Sequence, residues 1–257
     1  MKLTLVMASC VLPLTLSACG GGGGGGGSVS PPAPAAVMGA AQGIYVGNTA
    51  DGRELYTIAL ENDQFYAMYG HTVGNAFLVS GFVQGDGASN NGVFNSTNGV
   101  DSSSLNTRTA ATVNATYAVG ANLNGTIVEP TGSVGFTSAP IAAGLLNYNS
   151  AARLSDIAGH WNVTSLRGFA SSFDITATGT FTGTSSGCSL SGTFTPRASG
   201  KNVFDMTMSF GPAPCLIPNG AIKGMAIDYV VTSGQRQLIV AGIDTARINT
   251  AAFFGAR

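Results

Sequence analysis

Residues 173–194 read FDITATGTFTGTSSGCSLSGTF, and their pattern decides the fold. Three short runs in this stretch alternate apolar with polar side chains, and Gly, Ser and Thr separate them: Phe173–Ala177, Gly179–Gly183 and Cys188–Phe194. A period of two is typical of a strand with one buried face, because successive side chains of a strand point to opposite faces. The stretch therefore predicts consecutive short strands joined by turns.

The same rhythm extends from Gly43 to the end of the chain. The predicted strands of the first half are Gly43–Gly47, Glu54–Leu60, Gln64–Gly70, Ala76–Val83, Gly92–Ser96, Ala111–Ala118, Leu123–Val128 and Ser133–Thr137. Those of the second half are His160–Thr164, Phe173–Ala177, Gly179–Gly183, Cys188–Phe194, Val203–Phe210, Gly220–Val231, Gln237–Ala241 and Arg247–Phe254. About eight strands suffice for an antiparallel sheet to close on itself. We therefore predict an all-β protein with two antiparallel β-barrel-like modules.

The segment before the second set of strands differs in character, because Asn149–Ile157 reads as a linker that leads into a single helical turn. The predicted organisation has five parts: a signal peptide at 1–18, a lipid-anchored flexible tether at 19–42, a first barrel module at 43–140, a linker with the helical turn at 141–158 and a second barrel module at 159–257.

The N-terminus carries an export signal. Met1 and Lys2 precede an apolar stretch, Leu3–Leu16, of the length of a secretory signal. The next residues, Leu16-Ser17-Ala18-Cys19, resemble the bacterial lipobox, which implies cleavage before Cys19 and a diacylglycerol on its sulfur. An ordinary signal peptide with an incidental cysteine is the alternative. Gly20 stands where Asp retains Gram-negative lipoproteins in the inner membrane, so for a Gram-negative source the resemblance implies transport to the outer membrane.

The tether that follows consists of eight consecutive glycines, Gly20–Gly27, and the Pro-rich segment Ser28–Pro34. Glycine-rich chains are flexible coils and Pro-rich chains are stiffer, so this segment predicts reach and no core. Beyond residue 16 no apolar run is long enough to cross a membrane as a helix.

Composition excludes one class of partner. Charged residues make up 9% of the chain, the formal net charge is −1, and no basic run is present, so nucleic acid is not expected as a partner. Two cysteines remain beyond the signal and lipobox, Cys188 and Cys215. We expect them to form a disulfide in an oxidising compartment. No further ligand lies at a metal-binding spacing, and no Cys-x-x-Cys motif supports a redox role, so neither a metal nor a cofactor is predicted.

Gly159-His160-Trp161, after the helical turn, resembles the Gly-x-Trp opening of lipocalin-type (calycin) barrels. The resemblance implies that an arginine near the last strand lies across the Trp161 ring, with Arg247 as the candidate and Arg257 as the alternative. We interpret Trp161 as a core ring that closes one barrel end, in preference to a ligand contact.

The sequence matches catalytic motifs only weakly. Gly183–Gly187 matches the Gly-x-Ser-x-Gly nucleophile elbow, but no helix follows it, and a hairpin turn is the preferred interpretation. Neither of the two histidines, His71 and His160, stands at a spacing that favours a triad or a zinc site. The carboxylates are scattered, and a glycosidase needs only two of them. We predict that the protein is not an enzyme.

Three functions remain open. The preferred one is a binding module that engages a protein or other macromolecule through the loops Gly70–Asn75, Asn95–Arg108 and Phe210–Gly220. The layout of tether and barrel modules resembles Gram-negative surface lipoproteins, including the transferrin-binding-protein-like group. The second is a carrier of a small apolar ligand, with a barrel cavity lined by side chains such as Phe173, Phe181, Phe204 and Met206. The third is a hydrolase built on Ser185 and a nearby histidine.

Overall fold

The computed structural model of the chain describes residues 38–231 and 234–257. The predicted signal peptide, the lipobox cysteine Cys19 and the tether as far as residue 37 lie outside the described residues. The described part belongs to one compact unit and begins with a turn that leads directly into the first strand.

The first half of the described chain forms an antiparallel barrel. Its strands are β1 Gly43–Thr49, β2 Glu54–Ala59, β3 Gln64–Val73, β4 Ala76–Asp86, β5 Ala88–Asn90, β6 Val93–Ser103, β7 Arg108–Ala118, β8 Asn122–Glu129 and β9 Gly132–Pro140. The barrel closes where β4 pairs with β6, and β9 pairs with β1. The three-residue β5 lies outside this closure and extends the sheet beside β6.

The second half forms another closed barrel after the short helix α1, Leu154–Ile157. Its strands are β10 Gly159–Ser165, β11 Ala170–Ile175, β12 Thr180–Ser185, β13 Cys188–Pro196, β14 Phe204–Phe210, β15 Ala221–Val230, β16 Arg236–Ile243 and β17 Thr250–Ala256. Each strand is antiparallel to the next, and β17 returns to pair with β10. The predicted fold class, all-β with two antiparallel barrels, is confirmed.

The Gly-x-Ser-x-Gly match at Gly183–Gly187 is a hairpin. Ser185 ends β12 and lies opposite Cys188, the first residue of β13. The two residues between them, Ser186 and Gly187, have φ of 50° and 81°, as a two-residue hairpin turn of type I′ requires. The strand continues into another strand, so the preferred interpretation of this motif is confirmed.

The interior of the second barrel is filled by aromatic rings. The ring centroid of Phe173 lies 5.2 Å from that of Phe181 and 5.1 Å from that of Phe253. The ring centroids of Phe181 and Phe194 are 4.8 Å apart. These side chains, together with those of Phe204 and Met206, are buried in one hydrophobic cluster. The residues expected to line a central ligand cavity therefore pack against one another, and the centre of the barrel is a core.

One end of the second barrel is closed by Trp161. Its indole Nε1 donates a hydrogen bond of 2.6 Å to the carbonyl of Ile157 in α1. The guanidinium of Arg257 lies 4.1 Å from the Trp161 ring centroid and donates to the carbonyl of Ala158 at 2.9 Å. The ring is buried, as expected for a core residue that closes a barrel.

The arginine that covers the Trp161 ring is therefore Arg257, and the expectation for Arg247 is wrong. The reason is strand direction, because β17 runs antiparallel to β10 and ends beside the start of β10. Arg257 directly follows β17, whereas Arg247 precedes it at the opposite end of the barrel. Arg247 instead donates to the carbonyls of Gln84 and Asn98 in the first barrel.

The two barrels share a hydrophobic core. One cluster lies inside each barrel, and a third combines side chains of both, among them Phe77 and Met68 of the first and Ile227 and Ile239 of the second. Strand β16 is buried along nearly its whole length, on both faces, because its outer face packs against the other barrel. The barrels therefore form one body.

The buried amide of Gln237 connects the backbones of the two barrels. Its Nε2 donates to the carbonyl of Phe77 at 2.6 Å, and its Oε1 accepts from the Phe77 amide at 2.9 Å. The Tyr229 hydroxyl also donates to Oε1, at 3.1 Å. An amide side chain thus satisfies the hydrogen bonds of a buried strand residue as a neighbouring strand would.

We expect Gln237→Leu to lower the free energy of unfolding by about 3 kcal/mol, because both backbone groups of Phe77 lose their partner in a buried site. Urea denaturation measures the change. The control Gln64→Leu alters a half-buried amide at the start of β3 and is expected to change stability by less than about 0.5 kcal/mol. Equal stability of the Gln237 variant and the wild type would contradict this role of the amide.

Candidate binding site at the open end of the second barrel

The end of the second barrel opposite Trp161 is formed by four connections. In an up-and-down barrel, alternate connections lie at the same end, which places β10–β11, β12–β13, β14–β15 and β16–β17 together. These connections surround a cavity of about 230 Å³. The β6–β7 hairpin of the first barrel forms a further wall.

The floor of the cavity is apolar. Leu190, Phe210 and Phe253 of the second barrel line it, and all three are buried. Cys188 also lines it and forms a disulfide with Cys215 of the β14–β15 connection, so the predicted disulfide is confirmed. The disulfide holds this long connection against the start of β13.

The wall from the first barrel is polar. Ser102, Ser103 and Asn106 to Arg108 line the cavity on that side. The hydroxyl of Thr250 in β17 donates to the Ser102 hydroxyl at 2.9 Å. Arg167 of the β10–β11 turn donates through Nη2 to the side-chain oxygen of Asn106. These bonds hold the hairpin of one barrel across the mouth of the other.

Two arginines, Arg108 and Arg167, line the cavity, and no Asp or Glu lines it among the described residues. Partial burial, and secondly the positive charge of Arg108, lower the pKa of Arg167. Within the described ranges, neither guanidinium lies within 4.0 Å of a carboxylate oxygen. The cavity therefore has an uncompensated positive rim.

Large apolar side chains stand exposed around the same opening. Leu216 and Phe169 line the cavity and are 60% and 40% exposed. Leu105, at the tip of the β6–β7 hairpin between two cavity-lining residues, is 84% exposed. Exposed apolar side chains concentrated at one opening are a feature of binding surfaces.

Two of the three loops predicted from the sequence meet at this cavity. The end of Asn95–Arg108 and much of Phe210–Gly220 line it, although most of the first range is strand β6. Gly70–Asn75 does not line it and forms the end of the β3–β4 hairpin. Sequence reasoning missed Arg167 and Phe169, because the four-residue turn 166–169 that carries them has no distinguishing pattern.

Ser185 also lines the cavity, and its hydroxyl accepts a hydrogen bond of 2.8 Å from Ser171. His160 lies at the closed end of the barrel, where its Nδ1 is 2.8 Å from an Asp174 oxygen. His71 belongs to β3 of the first barrel. The structure therefore brings neither histidine to Ser185.

The described part of the chain contains neither a metal-ligand cluster nor a helix that could span a membrane. No group there of three or more His, Cys, Asp or Glu side chains could hold a metal ion. The short α1 has four residues, and no helix of these ranges is long and apolar enough to span a bilayer.

A second polar cluster, which sequence reasoning missed, lies in the first barrel. The hydroxyl of Tyr69 donates to Asp101 at 2.8 Å, and the Arg53 guanidinium lies 4.2 Å from the Tyr69 ring centroid. Burial, and secondly a hydrogen bond with Glu129, raise the pKa of Asp101 to about 7. Burial disfavours the charged form of Asp101, and the hydrogen bond with Glu129 favours its protonated form.

We expect the free energy of unfolding to fall as pH rises from about 4 to about 7, because unfolded Asp101 releases a proton that the folded protein retains. Between pH 5 and pH 8 the loss is about 2 kcal/mol. Urea denaturation at the two pH values measures it, and Asp101→Asn should remove most of it.

The contact with Asp174 raises the pKa of His160, which changes stability with pH in the same direction. Asp174→Asn therefore serves as the control that removes this separate contribution. An Asp101→Asn variant that keeps the full dependence of the wild type on pH would contradict the assignment.

Comparison with solved structures finds distant matches with low TM-scores. A protein of unknown function from the DUF3598 family of Nostoc punctiforme is 8% identical over 84% of this chain and 93% of that chain, with a TM-score of 0.28. The isotype 1 transferrin binding protein B of serogroup B Neisseria meningitidis is 11% identical over 80% of this chain, with a TM-score of 0.26, and the match spans 51% of that protein's chain. No family model and no curated protein matches the sequence. Function therefore has to be inferred from this chain's own residues.

Proposed function

We propose that the chain is an exported lipoprotein that is held at the outer membrane by a diacylglycerol on Cys19 and acts as a binding module. In this proposal it is not an enzyme, and the open end of the second barrel is its binding surface. The lipobox-like residues Leu16–Cys19 support the anchor. Two or more buried acyl chains hold a protein durably at a bilayer.

The observation that carries the binding role is the composition of the open end. Two arginines without a carboxylate partner and three exposed apolar side chains surround a recessed apolar floor, as described above. Exposed leucine and phenylalanine side chains are hydrated at a cost of roughly 25 cal/mol per Å² of apolar surface, which a bound partner recovers. Turns on a rigid β-scaffold are suited to recognition because the scaffold fixes their positions.

The second candidate, a carrier of a small ligand, is favoured by the cavity itself. Its site differs from the one expected from the sequence, because the barrel centre is filled by Phe173 and its neighbours. A small ligand would lie at the mouth of the barrel, against the hairpin of the other barrel.

We expect Cys19→Ala to release the protein from the membrane fraction, because the acyl chains have no other attachment site in the proposed anchor. Fractionation and immunoblotting measure the distribution, and the intact mass of the wild type should include the added lipid. The control is Cys10→Ala, which alters the other cysteine of the leader and should leave the protein membrane-bound. A membrane-bound Cys19→Ala variant would overturn the anchor.

We expect Leu216→Asp to reduce capture of the partner at least ten-fold, because the change places a carboxylate in the apolar part of the opening. The chain from Ser28 onward, which contains all three hydrophobic clusters, is used as bait for envelope proteins and lipids, with mass spectrometry as readout. The control Val119→Asp alters a side chain of similar exposure (75%, against 60% for Leu216) in the β7–β8 turn of the first barrel. An equal loss of capture in both variants would contradict binding through the open end. Unchanged capture in both variants would contradict it as well.

A further inference from the structure

We propose that the cavity at the open end of the second barrel binds a small amphiphile with one anionic head, a carboxylate or phosphate, held by Arg108 and Arg167. The apolar body of the amphiphile would lie on Leu190, Phe210 and Phe253. This inference rests on the proposed binding function and specifies its ligand.

Charge selects the head group. Arg108 and Arg167 belong to different barrels and meet at one cavity, where their like charges repel each other. An anion between them relieves this repulsion and accepts charge-assisted hydrogen bonds, which guanidinium groups make in pairs to carboxylate or phosphate. A neutral ligand gains only the weaker hydrogen bonds of an uncharged acceptor, and a cationic ligand is repelled.

Polar groups beside the arginines extend the same site. The hydroxyls of Ser103 and Thr107 lie 2.6 Å apart in the β6–β7 hairpin, and both residues line the cavity. Asn249 lies on the facing wall, but its amide nitrogen is already committed to Asp244 at 2.7 Å. One of the two hydroxyls donates to the other, which leaves the second hydroxyl hydrogen and the Arg108 guanidinium as donors on that side of the cavity.

The apolar floor of the cavity determines the size of the apolar part of the ligand. Leu190 and Phe253 are nearly inaccessible from outside, so only a thin apolar group that enters the cavity can contact them. A cavity of about 230 Å³ exceeds the roughly 150 Å³ that accommodates benzene and lies below the roughly 300 Å³ at which pockets for drug-sized ligands begin. A cavity between these two limits has room for a short saturated chain and not for a drug-sized ligand.

The filled barrel limits chain length. Below the floor, Phe173 and Phe181 pack against Phe253 and its neighbours, so a longer tail cannot pass into the barrel. Affinity should therefore rise about four-fold with each added methylene while the tail fills the cavity and then stop rising. Binding deep within the barrel would show no such limit at this length.

Isothermal titration calorimetry on the chain from Ser28 onward tests the proposal. The probes are octanoate, octyl phosphate and octanol, which share one tail and differ in the head, and a series of carboxylates from hexanoate to dodecanoate. We expect at least one charged probe to bind at least ten-fold more tightly than octanol. Arg108→Gln and Arg167→Gln should each weaken that probe at least five-fold and leave octanol unchanged. The control Arg153→Gln, an exposed arginine before α1, should change neither.

Three results would overturn the proposal: no saturable binding of either charged probe, equal affinity for octanol and the charged probes, or charged-probe binding that persists in both arginine variants. Capture of an envelope protein through Leu216 without binding of the amphiphiles would also refute this ligand, while the proposed binding function would stand. Absence of both protein capture and amphiphile binding would refute the proposed binding function and the proposed ligand together. Far-ultraviolet circular dichroism of each variant separates loss of binding from loss of folding.

Discussion

The arrangement of the molecule depends on the buried contact between the two barrels, with the Gln237 amide at its centre. A barrel has no open edge, so two barrels cannot join by extending a sheet. Here the outer faces of several strands are apolar and pack together, and the amide satisfies the Phe77 backbone within that contact. Because the amide accepts and donates in fixed directions, it determines how the strands meet, whereas apolar packing alone tolerates some sliding.

The candidate site follows from this fixed relation. The β6–β7 hairpin reaches the mouth of the second barrel only if the barrels keep one orientation, and Thr250 and Arg167 bond to it there. Arg197 of the second barrel adds an ion pair of 2.7 Å with Glu61 of the first. A change in the contact between the barrels should therefore alter the cavity at a distance. The reason is that each barrel contributes one wall of the cavity.

Much of the fold could be predicted from the sequence, because strand alternation and turn residues are local signals. The strands of the quoted stretch occur close to the expected positions, and the disulfide followed from the export signal and the number of cysteines. The contact between the barrels is also marked in the sequence, because Gln237–Ile243, with the sequence QLIVAGI, lacks the alternation of a strand with one solvent-exposed face. Strands that are buried on both faces read as continuous apolar runs.

The candidate site was less accessible to sequence reasoning, because its parts are distant in the chain. Arg108 and Arg167 meet only through the packing of two barrels, and Asp101 and Glu129 only through the closure of one. The choice between Arg247 and Arg257 depended on which end of β17 lies beside Trp161, which strand pairing decides. Local patterns identify elements, and long-range pairing determines which side chains meet.

The distribution of charge is the strongest reason to assign a role to the open end. The described ranges pair several arginines with carboxylates: Arg53 with Asp51, Arg197 with Glu61 and Asp205, Arg236 with Asp228 and Asp156, and Arg247 with Asp86. Arg153 and Arg257 also have no carboxylate oxygen within 4.0 Å in the described ranges, but only Arg108 and Arg167 line one cavity together. The proposed anion would face both positive charges, and its binding would stabilise the folded protein.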